Sequence, residues 1–179
     1  MAAKVRPRPG GLTAGFYLLA LLAACATGTP PGEWAGRVCA ALGPWRAEID
    51  SLNASAQRQI SAAATPAQTR AGLLELLLGA ERATESARAA VVTAGTPEVD
   101  GGEDVARSFA ASLASSRDAY GRARATLQAL PTHDAGAFYD GVVVLMARLT
   151  EDYAQSAVDV TRIDSPELRD AFDRVDRCQ

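Results

Sequence analysis

Phe138, Val142, Leu145, Leu149, Tyr153, Ser156, Val160 and Ile163 follow one another at steps of three and four residues. That spacing puts them on one stripe of an α-helix and on no single face of a strand. A stripe of this kind has to be covered, and the rest of the chain supplies similar stripes to cover it. Val142-Val143-Val144 alone would suit a strand, but the helical periodicity around it is too long to set aside for three residues.

The same pattern recurs three times before it. Trp34, Val38, Leu42, Trp45, Ile49, Leu52, Ala56 and Ile60 predict a first helix, with the domain starting at Glu33 and a kink or short break where Gly43-Pro44 removes an amide donor. Thr65-Pro66 reads as a helix start, and Leu73, Leu77, Ala80, Ala87 and Val91 mark a second buried face, widened by Leu74, Leu76 and Leu78. Gly95-Thr96-Pro97 ends it. Glu103 and Asp104 place negative charge at the start of a third helix, whose stripe runs Val105, Phe109, Leu113, Ser116, Tyr120, Ala123, Leu127 and Leu130. Thr132 is expected to cap the fourth, with Asp134 in its first turn. Ser165-Pro166 starts a short fifth, carrying Leu168, Phe172 and Val175. Four long amphipathic helices with short connections predict an all-α fold, an antiparallel four-helix bundle with the short C-terminal helix lying across one end.

Ahead of the helices the chain reads as an address. Lys4, Arg6 and Arg8 precede an apolar run that ends in Leu22, Ala23, Ala24 and Cys25. This is the form of a lipoprotein signal: small residues enter the peptidase groove, and the Cys25 thiol takes the lipid. The uncharged stretch from Gly11 to Ala24 is 14 residues, short of the roughly 20 that a retained membrane helix needs. The expected division is therefore a signal over 1–24, a lipid anchor and flexible tether over 25–32, and a helical domain over 33–179, held extracytoplasmically at the membrane. An ordinary signal peptide ending by chance beside a thiol is the competing reading, and would give a freely secreted protein.

Removing the leader leaves 15 basic residues against 21 acidic ones, a formal net charge of −6. An acidic domain has no basic face for phosphates, which argues against nucleic acid as a partner. With Cys25 committed to lipid, Cys39 and Cys178 remain as an even pair in an oxidising compartment, and a disulfide between them is expected. It would close a loop of roughly 140 residues and stabilise by about 5 kcal/mol in the chain-entropy account. A metal or redox pair is the lesser alternative, because the chain has no Cys-x-x-Cys and a single histidine.

The tryptophan before Val38-Cys39, Trp45 after it, and Leu168, Ala171, Phe172 and Cys178 at the other end resemble a group of functionally uncharacterised small secreted proteins and lipoproteins of actinobacteria. The resemblance covers both ends of the domain. It implies an exported helical domain with a terminal cystine and brings no catalytic or binding residue. Trp34-Ala35-Gly36 also matches the Trp-x-Gly signature of small secreted helical hairpins, but here it opens a helix and does not sit in a turn.

No constellation for chemistry emerges. His133 is the only side chain with a near-neutral pKa, and no nucleophile is placed with it. Asp100-Gly101-Gly102-Glu103-Asp104 is too short and irregular for a calcium loop, and its glycines lack the strand and lysine of a phosphate loop. The Asn53-Ala54-Ser55 sequon falls inside a helix. The expectation is a protein without catalytic residues, metal or cofactor, anchored to the membrane and meeting an envelope protein. The alternative is a small-ligand or lipid carrier, with the ligand between helices where Ser112, Ser116, Ala119 and Ala123 leave room.

Overall fold

The computed structural model describes residues 28–59, 64–156 and 165–178. Five α-helices carry these residues: α1 (Pro31–Gln59), α2 (Pro66–Thr93), α3 (Gly102–Ala129), α4 (Ala135–Ser156) and α5 (Pro166–Arg174), followed by a 3-10 turn at Asp176–Cys178. Ile60, Val160 and Ile163 of the expected stripes lie outside the described residues, as do Cys25 and the Leu22-Ala23-Ala24 segment before it.

Local chemistry sets most boundaries. Thr65 accepts from the Gln68 amide and the Gln68 side chain accepts from the Thr65 amide, a reciprocal cap that Pro66 at the first helical position leaves undisturbed. Gly95 leaves α2 at φ +82°, which only glycine adopts without strain. Gly102 sits against the preceding connection so tightly that a Cβ would lie 2.1 Å from the Pro97 carbonyl oxygen. Ser165 caps α5 by accepting from the Leu168 amide at 3.3 Å.

Three expectations need correction. α1 runs through Pro44 without a break. Pro44 and Ala40, whose carbonyl loses its amide partner, are both exposed, so the missing bond falls on the solvent side of the helix, where it costs least. The cap of α4 is Asp134 and not Thr132: its carboxylate accepts from the Ala137 amide at 3.0 Å, and its carbonyl takes the first helical bond from Phe138. The tether does not extend to residue 32. Thr29 donates to the Thr96 carbonyl at 2.7 Å and accepts from the Glu98 amide at 2.8 Å, and α1 starts at Pro31. Backbone groups left open by the α2–α3 connection find their partners on residue 29, which draws the start of the domain forward.

The four long helices alternate in direction. Trp34 at the start of α1 meets Gly95 beyond the end of α2, Arg124 late in α3 meets Glu81, and Leu130 at the end of α3 lies against Gly141 near the start of α4. Their apolar stripes make two cores. One is built on Trp34, fully buried, whose indole donates to the Gly95 carbonyl at 2.9 Å and stands edge-on to Phe109 and Phe172 at ring-centroid distances of 5.4 and 5.9 Å. Val38, Val91, Leu113 and Leu168 complete it. The second joins Leu77, Tyr120, Leu127, Phe138 and Leu145. Helix α5 supplies the first core and α4 the second, so the fourth member of the bundle is divided between them. Between α1 and α4 the ring of helices stays open, while α1–α2, α2–α3 and α3–α4 all pack.

Candidate functional site

Cys39 and Cys178 are bonded, with their Cα atoms 5.2 Å apart, and the bond fastens the terminal 3-10 turn to the first third of α1. Around it Ala171 and Phe172 of α5 cover Cys39 and Trp34. This end of the molecule is a strut, and its aromatic and sulfur groups are used in packing.

His133 stands exposed in the α3–α4 connection, beside the capping Asp134, and makes no hydrogen bond or ion pair among the described residues. Among the described residues no three His, Cys, Asp or Glu side chains gather closely enough to hold a metal ion. No described helix is long and apolar enough to cross a membrane.

Ser112, Ser116, Ala119 and Ala123, beside which room for a ligand was anticipated, lie where α3 and the end of α4 come together. Ser112 donates to the Ser156 carbonyl and the Ser116 and Ser156 hydroxyls meet at 2.9 Å, so these small residues bring the end of α4 close to α3. Ala119 and Ala123 are buried in the same packing. Small side chains here let the two helices approach closely.

The vacancy lies further along, where α1 and α4 fail to close. A half-open cavity of about 270 Å³ separates them. Its floor is Leu73, Leu76, Leu77 and Ala80 of α2 with Tyr120 and Leu127 of α3. Ile49, Leu52 and Asn53 form the α1 wall, and Met146, Leu149, Thr150 and Tyr153 the α4 wall. The α4 wall joins Leu149 and Tyr153 of the stripe that packs on α3 to Met146 and Thr150, which stand one residue beyond Leu145 and Leu149 and widen that stripe. Tyr139, near the start of α4, donates to the Ala64 carbonyl at 3.1 Å in the connection ahead of α2. Val143 and Val144 turn outward and are 68 % and 53 % exposed.

Two phenols lie at the inner and outer parts of this cavity. Burial pushes the Tyr120 hydroxyl up to about 12, and the neighbouring Tyr153 adds to the shift. Burial also raises Tyr153, against the opposing charge of Arg46 on α1. Both remain neutral donors at physiological pH. On the opposite face, outside the cavity, Glu85 accepts from Arg88 and Arg117, which hold its carboxyl at about 2, and Glu81 pairs with Arg124 at 3.0 Å. That ladder joins α2 to α3 and is satisfied within itself.

The cavity was within reach of sequence reasoning through the widened stripe of α4, which is too wide for contact with one neighbouring helix. What hid it was the assumption that four helices of similar length close on one another. No protein-family model, no curated protein and no solved structure matches this chain.

Proposed function

We propose that the chain is an exported lipoprotein, anchored through Cys25 at the outer face of the membrane, whose helical domain binds a partner and performs no chemistry of its own. The observation that carries this reading is the Cys39–Cys178 bond, since a cystine between the first helix and the last turn persists in an oxidising compartment and not in a reducing one. It agrees with the Leu22-Ala23-Ala24-Cys25 signal and with the actinobacterial lipoproteins that the two ends of the domain resemble. The outward Val143 and Val144 on α4 offer an apolar contact to an envelope protein. Fractionation of cells tests the anchor: wild-type protein should sediment with membranes, and Cys25→Ala should lose lipid labelling and the mature, shortened form. Equal labelling or equal processing of the two would refute it.

The cavity between α1 and α4 favours a second reading, that the domain carries a small apolar ligand. Its lining is chiefly leucine, isoleucine and methionine with a few hydroxyl groups, the composition of a small-molecule site.

A further inference from the structure

Of the cavity side chains whose polar groups make no hydrogen bond to a described residue, Asn53, Tyr120 and Tyr153, Tyr120 is the buried one. The residue is 8 % exposed, yet its hydroxyl makes no hydrogen bond to any described residue. No side-chain nitrogen or oxygen among the described residues is both sealed from solvent and unpaired, so the Tyr120 oxygen keeps access to open space, and the space it borders is the cavity. A buried phenol ordinarily finds an acceptor, and one that lacks it beside an apolar cavity is a place for an acceptor brought by a ligand.

A second observation gives the sign of that acceptor. Arg46 lies three residues before Ile49 and seven before Asn53, on the face of α1 that borders the groove, and its charge reaches Tyr153 at the mouth. Arg46 makes no ion pair with a described residue, as is also true of Arg58, Arg82 and Arg148, and among these it is the one whose charge reaches a phenol of the cavity. Two neutral phenols and an uncommitted guanidinium at one end of an apolar trough favour a negatively charged oxygen head over a neutral one, and repel a cation.

Size limits the tail. A cavity of about 150 Å³ accepts benzene, so about 270 Å³ holds roughly ten to twelve non-hydrogen atoms. We propose that the groove binds a medium-chain carboxylate, its tail among Leu73, Leu76, Leu77 and Leu149 and its head between Tyr120, Tyr153 and Arg46. The proposal rests on the carrier reading and specifies its ligand.

Isothermal titration of the full chain in lipid nanodiscs, with empty nanodiscs subtracted, compares decanoate, decanol and decyltrimethylammonium at neutral pH. Decanoate should bind at one site, about tenfold or more tighter than the other two, the difference expected of one charge-assisted contact. Arg46→Gln should weaken decanoate about tenfold and leave decanol unchanged. Tyr120→Phe should weaken both oxygen-headed ligands several-fold without lowering the melting temperature, because the hydroxyl it removes has no internal partner. Equal binding of decanoate and decanol, or indifference of decanoate to Arg46→Gln, would overturn the carboxylate inference and leave the carrier reading standing. Absence of binding by all three, or a dimer in light scattering that excludes decanoate, would overturn both.

Discussion

At the scale of single residues, the fold is controlled where backbone comes closest to backbone. Gly102 is such a position: Gly102→Ala drives a methyl group into the Pro97 carbonyl, an atom that cannot rotate away, and should destabilise by about 1–3 kcal/mol. Gly36 is the contrast, a glycine inside α1 with open space where its Cβ would be, so Gly36→Ala should stabilise by about 0.5–1 kcal/mol. Urea unfolding of the two variants measures both, and the same sign for both would refute the packing described here. The residue scale is also where sequence reading did best and worst. Thr65-Pro66 and Ser165-Pro166 announced their helices because a cap is a local bond that needs only its neighbours. Pro44 misled because its effect depends on which way the orphaned carbonyl faces, and Thr132 because Asp134, two residues on, has the better-placed acceptor.

At the scale of elements, the stripe on α3 was legible almost residue by residue. On α2, Leu77, Ala80, Ala87 and Val91 were legible and the buried Thr69, Gly72 and Thr84 were not, being small or polar residues that a hydrophobic pattern does not mark. The stripe on α4 was legible as a helix but not as an interface, because a periodic pattern gives the direction of burial and not the identity of what covers it. Among the described residues of that stripe, only Phe138 and Leu145 are fully covered. Two tests belong here. The Glu85 carboxyl, held at about 2 by Arg88 and then Arg117 against an ordinary 4.5, favours the folded state whenever it is ionised. Its contribution is complete above about pH 4.5 and is lost as pH falls toward about 2, so Glu85→Gln should flatten the acid limb of a stability–pH profile over that window and change little at neutral pH beyond a constant offset. An unchanged acid limb would mean that the α2–α3 ladder is not held in solution. The cystine is the other test. Cys39→Ser with Cys178→Ser should lower stability by about 4–5 kcal/mol in the chain-entropy account, and less where the unfolded chain stays compact. Denaturant titration reads it, and a loss under about 1 kcal/mol would show that α5 is held by Leu168 and Phe172 alone.

At the scale of the whole molecule, an all-α bundle with a short terminal helix followed from counting stripes and connections, and the folded chain has that form. The open side between α1 and α4 did not follow, because it arises from dividing the fourth position between α4 and α5, a consequence of tertiary packing that no local pattern encodes. That division gives the molecule two ends with different roles. One is locked by Trp34, Phe172 and the Cys39–Cys178 bond, and the other carries the apolar groove. Thr29 joins the start of the chain to the locked end, so an anchor at Cys25 would hold that end toward the membrane. From Pro31 to Ile49 is 18 helical steps, so the groove begins roughly 27 Å along α1 from that end. Export, lipidation and oxidation are expected to occur together on one chain. Intact mass of the membrane-associated protein, taken with and without reductant, examines all three. A species that begins at Cys25, carries the added mass of a diacylglyceryl group and gains two hydrogens on reduction is the expected result. A chain that still begins at Met1, bears no lipid or shows no change on reduction would contradict it.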